Sequence, residues 1–386
     1  MDHLLAGRPL SKLGDMSYGV YLVHWPLLIT LLVVQDASRA GAIEGLILIA
    51  LSVRAGSLLT RYVDAPIRFS RSLALLPGRA VLVIALAVAV GVTPSLLIQS
   101  ALDRQTARIL AGAALNNPGA AVLLGSSSGP QDPDAPPIPL PEDIKWDWGN
   151  IDDLSCKGPY KPTDPSLAAA CRQTATGEPG KVIVAVGNSR TQQMIGSYLP
   201  LAEANGYTIV SIIKSGCPLD TTTTWEGCLD WNVELRDYLV ALHPAAVVTN
   251  TTQIDPGQRE KRTPGVEGLI GDLTGAGIAV IGFRDAPRLP WDPPACLHER
   301  SEEQCTVPTR GMFGEAELNR GLASSVRGSG AFHPIDLTDY FCPGGECVPI
   351  IGNVHVYMDA VHPTRTYVRT IAPEVDRQLS SSGWRW

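Results

Sequence analysis

The stretch Lys181-Val-Ile-Val-Ala-Val-Gly187-Asn188-Ser189-Arg190 decides the fold. Its apolar, largely β-branched run does not alternate with polar residues, so both faces of the strand are to be covered, as in a parallel sheet. The strand is expected over Val182 to Val186, and Gln192 to Asn205 is long enough for a crossover helix. The same texture recurs at Thr208 to Ile213, Ala245 to Thr249, Ile278 to Phe283 and Phe332 to Asp336, with helix-length stretches such as Trp231 to Leu242 between. Strands alternating with helices predict an α/β domain on a central parallel sheet. Its ligand site belongs beyond the carboxyl ends of the strands.

Those ends carry chemistry. Gly187-Asn188-Ser189-Arg190 follows the first strand, Ser215-Gly216-Cys217 the second, and Asn250 closes the third; Asp359-Ala-Val-His362 stands near the C-terminus. A serine hydroxyl is a weak nucleophile without an adjacent base. His362 can be that base, and Asp359 can orient its ring. The backbone N–H groups of Ser189 and Gly216, with the Asn250 amide, are the expected oxyanion donors. Each residue also has a plainer reading. Ser189 is a common helix cap, Gly216 and Asn250 suit turns, and Asn188 and Arg190 fit the substrate rim or the surface. His355, Asp359 and His362 do not have a zinc spacing, so no metal is expected.

The rest of the chain divides by composition. Of 386 residues 45% are hydrophobic and only 18% charged, so part of the chain is expected to leave water. A net charge of −7 disfavours nucleic acid as a partner. Apolar stretches at about 17–34, 42–63 and 80–102 predict transmembrane helices. Arg8 and Lys12 precede the first; Arg61, Arg68, Arg71 and Arg79 lie around the second loop, whereas Asp36, Arg39 and Glu44 give the first loop no basic excess. The positive-inside rule then leaves everything after the third helix extracytoplasmic, on a plasma or inner membrane. Prolines crowd residues 111–150, beside Ser126 to Ser128, and predict a linker that spaces residues 151–386 from the bilayer.

All eight cysteines, Cys156, Cys171, Cys217, Cys228, Cys296, Cys305, Cys342 and Cys347, fall beyond the third apolar stretch. An even number in an oxidising compartment fits disulfides. Eight cysteines allow 105 pairings; sequence neighbours suggest Cys156–Cys171, Cys217–Cys228, Cys296–Cys305 and Cys342–Cys347.

Ser189, Gly216, Asn250 and His362, with the Asp-x-x-His spacing, resemble the SGNH (GDSL-like) family. Arg284-Asp285-Ala-Pro287 with Cys296-Leu297, Asp336 to Cys342, and Tyr357-Met-Asp359 are similar to the SGNH domains attached to acyltransferase-3 membrane proteins. Leu13 to Pro26 resembles a late helix of that membrane module, and Tyr62-Val-Asp64-Ala-Pro66-Ile-Arg68 the Glu-x-Pro-x-Arg end of its tenth helix, with Asp64 for the glutamate. The resemblance implies a three-layer α/β/α domain. The family's Gly-Asp-Ser-His reads Gly187-Asn188-Ser189-Arg190 here.

The resemblance also implies that the membrane module's own catalytic residues lie in helices before those present. The chain is thus expected to be a truncated product, one part of a split enzyme with a separate chain supplying the helices, or a product of a misassigned start. The expected activity is transfer of O-acyl, above all O-acetyl, groups to a cell-envelope glycan through a Ser-His-Asp acyl-enzyme. No bound cofactor is expected; the acyl donor is unidentified, an acetyl-CoA-derived group delivered by membrane helices being one source. A carbohydrate esterase (deacetylase) and a non-catalytic glycan-binding module are the alternatives.

Overall fold

A computed structural model describes residues 8–35, 39–125, 129–151, 154–222, 227–315, 317–325 and 331–386. Asp36 and the linker serines Ser126 to Ser128 lie outside the described residues. The chain divides into two compact units, Met1–Arg104 and Gln105–Trp386.

Among the described residues, three helices are long and apolar enough to cross a membrane. The first, α1, is Arg8–Val34. The second, α2, is Ala42–Leu59, and it continues through a π-helical turn at Thr60–Asp64 to Arg68. The third, α3, is Pro77–Asn116, longer than the expected 80–102. Good helix formers after Leu102, among them four alanines, carry it on. In the first unit α1 and α2 run antiparallel: a Cβ on Gly56 would meet Val20 at 2.7 Å, and His24 Nδ1 lies 3.3 Å from Ser52 Oγ. His24 thus packs against α2.

The second unit is a three-layer α/β/α domain. Its sheet strands are β1 (Leu154–Ser155), β2 (Cys171–Gln173), β3 (Val182–Gly187), β4 (Thr208–Ile213), β5 (Ala246–Asn250), β6 (Ala279–Phe283) and β7 (Phe332–Ile335). They lie in the order β1-β2-β4-β3-β5-β6-β7. The last five pair in parallel, and β1 and β2 add an antiparallel edge. The parallel strands follow the 2-1-3-4-5 order of doubly wound sheets, which reverses between β3 and β5.

Every residue of β3 is buried. Ile183 and Ala185 enter one core, Val182, Val184 and Val186 the other, the two-residue period of a strand covered on both faces. Helix α4 (Ser189–Ala204) supplies Met194, Ile195 and Tyr198 to the first core. Helices α5 (Cys228–Leu242) and α6 (Val266–Gly275) cover the second. Near the C-terminus, α7 (Arg365–Thr370) and α8 (Ala372–Ser381) join α4 on the first face through Tyr367, Val368 and Val375.

The proline-rich segment is not the spacer expected over 111–150. Ala120, Ile138, Leu140 and Ile144 are buried. Asn117 Nδ2 donates to the carbonyls of Pro136 (2.9 Å) and Asn353 (2.7 Å). Ile138 N–H donates to Asn353 O at 3.1 Å, and His355 N–H to Ile138 O at 2.9 Å. Proline favours an extended path, but the apolar residues between the prolines bury that path as a strap against the domain instead of exposing it.

Candidate active site

The turn from β3 to α4 presents Ser189. Gly187 has φ +130°, and a Cβ there would meet Thr191 Oγ1 at 2.7 Å, so the bend needs glycine. Asn188 caps α4, its Oδ1 accepting from Arg190 N–H at 3.0 Å. This engages the Asn188 side chain in the helix terminus, while the residue still borders the cavity. Ser189 opens the helix at the point where the sheet order reverses.

Ser189 Oγ lies 2.9 Å from His362 Nε2. His362 Nδ1 lies 2.9 Å from Asp359 Oδ2. An ionised carboxylate only accepts, so Nδ1 carries the proton and the neutral ring leaves Nε2 to accept from the serine. Asp359 Oδ1 also accepts the backbone N–H groups of Val361 (2.7 Å) and His362 (2.8 Å). Burial opposes ionisation of Asp359, but these bonds and the His362 contact outweigh it and hold the carboxyl below its usual range.

Two residues that the sequence reading did not pick out hold this arrangement. The Trp148 ring lies 4.9 Å from the His362 ring, centroid to centroid. Gln193, fully buried on α4, accepts from Gly149 N–H at 2.6 Å and donates to Pro363 O at 2.5 Å. The serine helix, the Trp148 segment and the histidine loop are thereby tied together. Gly149 sits so close to α4 that a Cβ would meet Gln192 O at 2.1 Å. The one hint in the sequence is Trp146-Asp-Trp148, an aromatic pair inside a proline-rich stretch.

Gly216, at φ +73°, turns the chain after β4. The Cys217–Cys228 disulfide ties that turn to the start of α5. Asn250, at the end of β5, donates from Nδ2 to Asp285 Oδ1 at 3.4 Å. Arg190, expected at the rim or the surface, lines the cavity but is largely buried. It forms an ion pair with Asp285 and donates to Ile254 O at 3.2 Å. Burial pushes the Asp285 carboxyl up to about 6, against the pull of Arg190. Asp285 Oδ2 also accepts Ile254 N–H at 2.9 Å, so three donors, Arg190 and Asn250 among them, meet on one buried carboxylate.

Ser189, Gly216, Asn250 and His362, with Asn188 and Arg190, line one cavity of about 570 Å³. Three further disulfides join Cys156–Cys171, Cys296–Cys305 and Cys342–Cys347. Among the described residues no group of three or more His, Cys, Asp or Glu side chains is placed to hold a metal ion.

A family model described as "SGNH domain (fused to AT3 domains)" matches residues 155–377, over half of the chain. A solved structure, the periplasmic domain of the Salmonella ser. Paratyphi A lipopolysaccharide acetyltransferase, is similar at 14% identity and a TM-score of 0.40. That match covers 53% of this chain and 86% of the other. No curated protein matches.

Proposed function

The chain belongs to the family of SGNH domains fused to AT3 domains, and from that premise we propose a membrane-anchored enzyme that transfers O-acetyl groups to a cell-envelope glycan. The first three helices are the anchor, a partial acyltransferase-3 module, and the α/β domain faces away from the cytoplasm. The observation that carries the reading is the continuous relay of 2.9 Å contacts from Ser189 Oγ through His362 to Asp359.

Ser189 Oγ attacks the carbonyl carbon of an acyl ester as His362 Nε2 takes its proton. Negative charge gathers on the former carbonyl oxygen, where the backbone N–H groups of Ser189 and Gly216 and the Asn250 amide are the donors. The amide nitrogen has two hydrogens, and the bond to Asp285 uses one. The carbon–oxygen bond of the leaving alcohol breaks, His362 returns the proton to that oxygen, and an acyl-serine remains. A glycan hydroxyl, deprotonated by His362, then takes the acyl group and regenerates the serine. Water in place of the glycan gives the esterase reaction at the same site.

Turnover of p-nitrophenyl acetate by the full chain in detergent, with and without an acceptor glycan, tests this. Ser189→Ala is expected to lower release by about 1,000-fold or more and to abolish labelling by a fluorophosphonate. Acetate release untouched by Ser189→Ala overturns the triad. Acetylated glycan forming alongside nitrophenol supports transfer; release indifferent to acceptor supports the esterase.

A further inference from the structure

Beside Arg190, which is paired with Asp285, the catalytic cavity holds a second arginine, Arg288. Arg288 lies on the segment after β6, just past the buried Arg284 and Asp285. That segment is fastened to the histidine loop, where Leu289 N–H donates to Ala360 O at 2.8 Å. Arg288 is half-buried and lines the cavity, yet it makes no hydrogen bond or ion pair among the described residues. The other charged groups near it are committed. Asp285 is paired with Arg190, Asp359 with His362, and Asp255 with Lys261 at 2.7 Å.

The cavity does not stop at Arg288. A second cavity of about 560 Å³ shares Ile254, Asp255, Arg288 and Val361 with the first. Arg310 lines it and is likewise without an ion pair among the described residues. A monosaccharide acceptor does not need the second chamber; an oligosaccharide passing the serine does. A partly buried guanidinium without a counter-ion is costly until a ligand supplies one, and its planar fork suits a carboxylate or phosphate.

We infer that Arg288 marks an anion-binding subsite, and that the glycan this enzyme acts on carries an acidic group one sugar or so from the acylated hydroxyl, with Arg310 further along the same groove. The inference rests on the function proposed above for its substrate class, though binding can be read without turnover. Desolvation, with the neighbouring Arg190 charge, lowers the Arg288 pKa and outweighs the opposing pull of Asp255, Asp285 and Asp359.

The test is calorimetric titration of the full chain in detergent with three probes: a trigalacturonate, its methyl ester, and a phosphorylated mannose oligosaccharide. A charged probe is expected to bind about 10- to 100-fold tighter than the neutral ester, the range for a hydrogen bond to a charged group. Preference for the trigalacturonate identifies a uronate, preference for the phosphorylated probe a phosphate. Arg288→Gln is expected to erase the preference and Arg288→Lys to keep part of it. Equal binding of all three probes, or a preference that survives Arg288→Gln, overturns the subsite. A chain that bound the anion but released no acetate from p-nitrophenyl acetate would overturn the triad and leave the subsite standing.

Discussion

Asp359 does two jobs with one carboxylate: Oδ1 accepts the backbone N–H groups of its turn, while Oδ2 makes the shorter contact to the histidine ring, 2.9 Å against 3.1 Å for Oδ1. Asp359→Asn can keep the shape of the turn but offers an amide where Nδ1–H needs an acceptor. The expected result is a kcat lower by about 10³- to 10⁴-fold, with the circular dichroism spectrum unchanged; a loss of a few fold would mean that the ring is held by something else. Trp148 is the other brace on the ring, and Trp148→Ala is expected to cost activity less than Asp359→Asn does in the same assay. At this scale legibility followed distance along the chain. The Asp-x-x-His turn is local, so its residues could be read together, and Ser189 announces itself by following a strand. Arg190 could not be read as buried, because its partner Asp285 is 95 residues away. Trp148 reaches His362 only because the strap folds back, which no local pattern encodes.

Strand ends in the sequence and in the fold agree to within a residue for all five parallel strands. Continuous β-branched runs bounded by turn residues leave little freedom in where such a strand starts or stops. The edge strands β1 and β2 are two and three residues long, too short for any periodicity. The strap was misread for a different reason: prolines favour the same extended backbone whether it is solvated or docked. Among the elements around the site, the turn after β4 depends most on a covalent tie. Replacing Cys217 and Cys228 by serine frees an 11-residue loop and is expected to cost about 2–4 kcal/mol. Thermal unfolding and p-nitrophenyl acetate turnover check this together. Activity should fall more than for the equivalent Cys296/Cys305 pair, which lies away from the catalytic cavity; equal losses would show that Cys217–Cys228 only stabilises.

For the whole domain, acid sensitivity is written into buried histidines. Burial pushes His355 down to about 4, from an ordinary value of 6.5, and lowers His333 as well. The unfolded chain therefore binds protons between pH 6.5 and 4 that the folded one refuses, so these histidines take stability away as pH falls through that window. Asp285 works in the opposite sense: its raised pKa favours the folded form at low pH, and that contribution is lost as pH rises through about 6. The difference between wild type and His355→Gln isolates the histidine. On going from pH 7 to pH 4 the variant is expected to gain on the wild type by on the order of 3 kcal/mol, read by thermal unfolding; a constant gap would mean that His355 charges freely in the fold. Composition already separated the apolar front from the cysteine-bearing back, but not where one compact unit ends, since α3 runs on past its apolar core. The four disulfides share one further property. Each bridge closes before the next begins, at 156–171, 217–228, 296–305 and 342–347. On a chain exported N-terminus first, every cysteine meets its partner before a competing thiol has emerged. The native pairing is then the one that oxidation in order of emergence would produce.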